Sequence, residues 1–173
     1  NKGKTVFVGD TSVHEYPSSE QLAEIAISSA RVVRLFGFDP KVAFVSHSTF
    51  GQPLTSRTKH IKNAVEILKE KNVNFEFDGD MQPDVALDKE YKSLYPFSKI
   101  VGNANILIMP GQHSAAISYK MMKTLGDTKV IGPLLIGLGL PIEIAPLRSS
   151  TSEIINLASI AAYSADVIDY KKN

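Results

Sequence analysis

The feature that most constrains this chain is an alternation of short apolar runs with longer stretches of helical periodicity. Lys4-Thr-Val-Phe-Val8, Lys41-Val-Ala-Phe-Val-Ser46, Asn74-Phe-Glu-Phe-Asp78 and Asn105-Ile-Leu-Ile-Met109 read as strands. Between the first two, Ser18-Ser-Glu-Gln21 has the S-x-x-Q form of a capping box, in which Ser18 accepts from an orphan amide and Gln21 reaches back. Leu22, Ile25, Ala26, Ser29, Val33 and Phe36 then recur at three- and four-residue spacing, and Gly37 is placed to end the helix. A second helix is expected over about Arg57–Lys71, with Ile61, Ala64, Val65 and Leu68 inward. Strand and helix in alternation give parallel βαβ units, an α/β fold with a mostly parallel sheet.

The rest of the chain is more mixed. Gly79 to Pro83 is expected to break the third strand, with a short helix over Asp84–Leu94. Ser114–Leu125 reads as a helix with Ile117, Met121 and Leu125 as its inner stripe. Val130–Leu140 has no readable period, Pro141–Ala145 alternates like a strand, and a last helix covers about Ser150–Val167. In such sheets ligands sit beyond the carboxyl ends of the strands. That directs attention to the loops Gly9–Pro17, His47–Ser56, Gly79–Asp84, Pro110–Ser114 and Pro146–Ser150.

Composition narrows the chemistry. The formal net charge of +1 argues against a dedicated nucleic-acid binder, which needs a basic surplus to displace counterions. The one run of like charge is the Lys171-Lys172 tail, and no apolar run is long enough for a bilayer. With no cysteine there is no disulfide, thiolate metal site or cysteine nucleophile, and a cytoplasmic setting is expected. The 173 residues make one domain or part of a larger one, and the start at Asn1 suggests a piece of a longer polypeptide.

Four segments carry candidate chemistry. Gly137-Leu-Gly139 lacks the third glycine and the strand–turn–helix of a dinucleotide fingerprint, and no P-loop is present. Ser46-His-Ser-Thr-Phe-Gly51 offers hydroxyls and amides ahead of a helix with Arg57 in its first turn, which suits an anion or, equally, a polar surface loop. Asp78-Gly-Asp80 with Asp84 does not have calcium-loop spacing and reads as turn chemistry, so no metal is expected. Ser150-Thr-Ser-Glu153 is an S-x-x-E capping box, and its carboxylate serves as a general base only if that first turn faces a cleft. His113 stands where a strand hands over to a helix. It has no nucleophile or carboxylate nearby in sequence and no second histidine one turn on, so it reads as a ligand-facing polar residue at most.

Taken in order, Phe38–Ser46, Asp78-Gly-Asp-Met-Gln82, Pro110–Lys120, Ile131–Leu135 with Gly137-Leu138, and Ile154-Ile-Asn-Leu157 resemble the phosphate acetyltransferase/butyryltransferase family over nearly the whole chain. Phe50-Gly51, Tyr95-Pro-Phe97, Met109-Pro, His113-Ser-Ala and Ile117-Ser resemble one branch of it, the C-terminal domain of multidomain bacterial NADP-dependent malic enzymes. The resemblance implies a three-layer αβα fold like that of isocitrate and isopropylmalate dehydrogenases, a dimer or larger homo-oligomer, and acetyl-CoA as ligand. It implies no cofactor in this stretch, with NADP and a divalent metal held in an upstream part. It divides the chain near residue 145, residues 146–173 joining a second subdomain.

Active members of the family carry Ser-Arg-Gly-Cys-Ser where this chain has Pro146-Leu-Arg-Ser-Ser150, an aspartate where it has Glu153, and Gly-Asn where it has Ala115-Ala116. Leucine cannot form the guanidinium fork that holds phosphate, and proline has no hydroxyl. The expectation is a domain that binds acetyl-CoA and dimerises without moving the acetyl group. Candidate contacts are Ser46, Ser48, Thr49, Arg57, His113 and Lys120, with Ser149 and Ser150. Two alternatives stand beside it: an active transacetylase with Glu153 as base and Arg148 holding phosphate, and a dimerisation module that binds nothing.

Overall fold

A computed structural model describes residues 4–10, 12–126 and 128–170, with side chains through residue 165. The Lys171-Lys172 tail lies outside the described residues. The chain divides into two compact units, Asn1–Tyr119 and Lys120–Asn173.

In the first unit, strands β1 (Phe7–Gly9), β2 (Lys41–Val45), β3 (Glu76–Met81) and β4 (Ile106–Ile108) form one parallel sheet in the order β1-β4-β2-β3. Helices α1 (Ser19–Leu35) and α2 (Ser56–Glu70) cover one face. Leu22, Ala26, Ala30 and Val33 of α1 and Ile61, Val65 and Leu68 of α2 pack there on Val42, Phe44, Ile106 and Ile108. The alternate residues Ala43, Val45, Leu107 and Met81 point the other way. They are covered by Val85 and Ala86 of α3 (Pro83–Leu87) and Ala115 of α5 (Gln112–Leu125). The unit is therefore a three-layer α/β structure, as expected.

Local signals set the helix boundaries. The Ser18 hydroxyl accepts from Gln21 N at 3.1 Å while the Ser18 amide donates to Gln21 Oε1 at 2.7 Å, closing the capping box. Gly37 follows α1 with φ +81°, the left-handed conformation that ends a helix cheaply only with glycine. A second box, Thr55 with Thr58, starts α2 one residue before the expected point.

Four expectations require correction, two of them in this unit. The third strand does not stop at Asp78 but continues through Gly79 and Asp80 to Met81, because its pairing with β2 continues to Val45 across a bulge. Gly79 is what permits this: a Cβ there would lie 2.7 Å from Phe44 Cβ and 2.8 Å from the Phe44 carbonyl oxygen. The expected helix over Asp84–Leu94 is two short ones, α3 and α4 (Lys89–Ser93), broken at Asp88, whose carboxylate caps the second.

In the second unit the expected strand Pro141–Ala145 is absent; a single antiparallel bridge, Leu134 to Glu143, is all that forms. Ile142 and Ile144 are exposed, so their alternation has no sheet face to fill. Helix α6 runs Thr151–Tyr170. The expected inner stripe of α5 is also outward: Ile117, Met121 and Leu125 are 57%, 55% and 80% exposed, and the helix buries only Ala115. Among the described residues no helix is long and apolar enough to cross a membrane.

Gly79 and Gly37 separate close approach from backbone preference. Gly79→Ala is expected to lower the unfolding free energy by about 2–3 kcal/mol, through overlap with backbone that cannot give way. Gly37→Ala, with open space around it, should cost only about 1 kcal/mol. Urea unfolding of the two variants checks the difference.

Candidate functional site

Strand β4 lies between β1 and β2, yet its following helix α5 packs on the face opposite to α1 and α2. The chain therefore leaves β4 toward the face opposite to the one it takes after the neighbouring strands β1 and β2. In open α/β sheets such a switch point opens the crevice in which ligands bind. Here its rim is made by residues 10 and 12–18 after β1, 46–55 after β2 and 109–111 after β4.

The loop after β2 is tied down from below. Asp80, in β3, is 1% exposed. Its carboxylate accepts the Ser48 hydroxyl and, at 3.0 Å, the Gly51 amide. The Asp80 carbonyl accepts the Phe50 amide at 2.6 Å. Thr49 and Gln52 pair across a two-residue turn whose central residues, Phe50 and Gly51, have φ +50° and +80°. Such turns favour asparagine, aspartate and glycine, and a phenylalanine held there costs about 1–2 kcal/mol. The Asp80 bonds offset it.

These bonds decide the orientation of the predicted anion-binding hydroxyls. Ser48 is fully buried, and Thr49 Oγ1, also buried, accepts the Gln82 amide at 3.2 Å. Ser46 is half-buried, its hydroxyl accepting the Ser48 amide at 3.3 Å. Arg57, in the first turn of α2, lies over the Tyr16 ring at 5.7 Å. The Asp78 and Asp80 carboxylates, considered above for turn or metal chemistry, are strand residues. Asp78 accepts the Gly79 amide at 3.0 Å and the Lys99 amide at 2.7 Å. Among the described residues no group of three histidine or acidic side chains is placed to hold a metal ion.

The loop after β1 holds a feature not read from the sequence. Asp10, at φ +53°, has a side chain only 2% exposed. It accepts the amides of Val13 and His14 at 3.2 Å each and sits 3.0 Å from His14 Nδ1. The i, i+4 spacing after a strand-ending glycine was the available signal. His113, the second residue of α5, is exposed, with Nε2 3.6 Å from Glu15 Oε1. Beside it the two loops touch as backbone. A Cβ on Gly111 would lie 2.6 Å from the Glu15 carbonyl oxygen, which accepts the Gln112 amide at 3.3 Å. Arg57 and His113 thus both meet the loop after β1, at Tyr16 and Glu15, while Ser46 stands on the loop after β2 with Ser48 and Thr49 turned inward.

The remaining candidates belong to the second unit. A small cleft there is lined by Lys123, Arg148, Ser149, Glu153 and Asn156 with Ile131. Glu153 closes the capping box at the start of α6: its Oε2 accepts the Ser150 amide at 2.8 Å and the Ser150 hydroxyl at 3.0 Å. Lys123 Nζ, 30 residues away and invisible to local spacing, donates to Glu153 Oε1 at 3.0 Å. The Ser150 amide, the Lys123 ammonium and the Ser150 hydroxyl, in that order, draw the Glu153 carboxyl down to about 2. Lys120 is an exposed residue of α5.

With fold and geometry established, likeness to known proteins is decisive. Residues 1–162 match the phosphate acetyl/butaryl transferase family. The chain belongs to that family. An NADP-dependent malic enzyme of Rhizobium meliloti (strain 1021) is 47% identical over 164 residues, 95% of this chain and 22% of that enzyme, and the match is to its C-terminal part. A phosphate acetyltransferase of Clostridium acetobutylicum is 37% identical over 158 residues, 90% of this chain and 47% of that protein. Among solved structures, the EutD phosphotransacetylase of Staphylococcus aureus has a TM-score of 0.86 at 31% identity, covering 95% of this chain and 52% of that one. The chain spans about a fifth of the malic enzyme and about half of the transacetylases.

Two measurements test this geometry. Asp80→Ala leaves the Ser48 hydroxyl and the Gly51 amide without acceptors and should cost about 3 kcal/mol in urea unfolding. A carbon-detected titration of Glu153 should give a midpoint near 2, moving up toward 4.5 in Lys123→Met. Because the folded value lies below the unfolded one, the cap's contribution is complete above about pH 4.5 and is lost as pH falls toward 2.

Proposed function

We propose that this chain is the transacetylase-like regulatory domain of an NADP-dependent malic enzyme, binding acetyl-CoA and forming a homodimer. The observation that carries the reading is the 47% identity over 164 residues to an NADP-dependent malic enzyme, and Glu153, with both carboxylate oxygens already accepting hydrogen bonds, adds to it. A general base needs a pKa near the working pH. A carboxylate drawn down to about 2, with both oxygens accepting hydrogen bonds, has almost no tendency to take a proton at neutral pH. Leu147 and Pro146 stand where the family's transacetylases carry an arginine and a serine, so the groups that hold phosphate and share a proton with it are missing together.

Binding does not require those groups. In the first unit the crevice keeps a guanidinium with no carboxylate partner among the described residues, Arg57, together with the Ser46 hydroxyl and the His113 imidazole. We assign the acyl-CoA to this crevice, its phosphates to Arg57. The effector acts by differing affinity for two states of the whole enzyme. Malate decarboxylation, with NADP and a divalent metal, is assigned to the part of the polypeptide that this family does not cover. The exposed Ile117, Met121 and Leu125, on one face of α5 at four-residue intervals, support a second copy as their cover.

Calorimetry should detect acetyl-CoA binding to the chain, weakened about tenfold by Arg57→Ala. Sedimentation should give a dimer. Acetyl-CoA with inorganic phosphate should yield no acetyl phosphate. Turnover that is lost in Glu153→Gln would establish the active transacetylase instead, and a dimer that binds no acetyl-CoA would leave only the dimerisation role.

A further inference from the structure

Three histidines, His14, His60 and His113, bear on the segment that joins β1 to α1. They differ in what a proton would change. His14 can give its Nδ1 hydrogen to the Asp10 carboxylate, 3.0 Å away, as a neutral ring. His113 is 73% exposed and 3.6 Å from Glu15, where water screens the pair. His60, half-buried on α2, is placed otherwise. Its Nε2 lies 2.8 Å from the Pro17 carbonyl oxygen and its Nδ1 3.1 Å from the Ser19 hydroxyl. The same hydroxyl lies 2.9 Å from the His60 carbonyl oxygen. Pro17 precedes the Ser18 cap and Ser19 opens α1, so one side chain grips the start of α1 on both sides of its cap.

The donors can be counted. A carbonyl only accepts, so the Pro17 contact needs a hydrogen on Nε2. In the neutral ring Nδ1 is then bare, and the one Ser19 hydroxyl hydrogen goes either to it or to the His60 carbonyl. In the protonated ring Nδ1 donates to the Ser19 oxygen, and the hydroxyl hydrogen is released to the carbonyl. All three contacts then become hydrogen bonds together, two of them from a charged donor. Ser19 is only 6% exposed, so the bond absent from the neutral state is absent inside the protein.

We propose that His60 is a proton-operated clamp that fastens the loop after β1 to α2 more tightly as pH falls. The acid facing it from α1 is Glu20, an exposed carboxyl held below the usual carboxylate range first by its own amide, then by the Ser18 hydroxyl, with a further pull from the His60 ring. On α2, Arg57 lies one turn earlier and is directed over the Tyr16 ring, and Lys59 is exposed. On the loop, Glu15 stands at His113. Arg57 and His60 hold consecutive residues, Tyr16 and Pro17, so the clamp sets where that part of the rim stands against α2. The inference goes beyond the acyl-CoA reading and does not depend on it.

The test is amide hydrogen exchange on the chain at about pH 5.5 and about pH 8, across the range in which histidine changes charge, with each rate divided by that of the unfolded chain at the same pH. The reporters are the Leu22 amide on the Ser18 carbonyl and the Gln112 amide on the Glu15 carbonyl. In wild type their protection should be about tenfold higher at the acid pH. The difference should be lost in His60→Gln, which can still donate to Pro17 but takes up no proton, and in Ser19→Ala, which removes the bond that protonation adds. It should persist in His14→Gln and in His113→Gln. Nitrogen NMR of the His60 ring at the higher pH should place its hydrogen on Nε2. Equal protection at both pH values in wild type overturns the inference. So does a pH effect that survives in His60→Gln, one abolished by His14→Gln or His113→Gln, or a neutral His60 ring with its hydrogen on Nδ1.

Discussion

The buried carboxylate of Asp80 fixes more of this molecule than any other single group. It lies within β3, beneath the loop that follows β2, and binds that loop through one hydroxyl and one amide. A carboxylate out of water is costly unless its lone pairs are filled, so the loop must adopt the one conformation that fills them. That requirement turns Ser48 inward, sets the left-handed pair Phe50–Gly51, and thereby decides which side chains the crevice presents. The hydroxyls that look most exposed in the sequence are consumed in building the rim.

Glu153 illustrates the same economy in the second unit. A carboxylate beside a helix start reads equally well as cap or as base, because both roles need an oxygen in the same place. What separates them is proton affinity, and that is lowered first by the Ser150 amide of the cap itself and then by Lys123, which lies outside any local window. With the ammonium at one oxygen and the helix amide at the other, the group is a permanent anion at neutral pH. The likeness to transacetylases lies in the family match and the scaffold.

What could be read in advance divides along physical lines. The capping boxes at Ser18 and Ser150, the stop at Gly37 and the inner face of α1 were legible because each rests on contacts within four residues. The parallel α/β class was legible because alternation of elements leaves few topologies. Strand β3 was cut short because a glycine between two aspartates looks like a turn until the neighbouring strand demands its lack of a side chain. Pro141–Ala145 alternated like a strand without having a partner, and the stripe on α5 was periodic without having a core to face. Periodicity reports that a face is apolar; it does not report what covers it. Lys123 with Glu153 depended on a chain reversal that composition does not encode, whereas Asp10 with His14 lies within one local window.

The contact between Gly111 and the Glu15 carbonyl has a mechanical consequence. With no side chain separating them, the turn leading into α5 and the segment leading into α1 meet as bare backbone, joined by the Gln112 amide. Neither can advance on the other without steric overlap, and neither can retreat without breaking a hydrogen bond. The two segments are therefore held together at that side of the rim, and a side chain on residue 111 would force them apart.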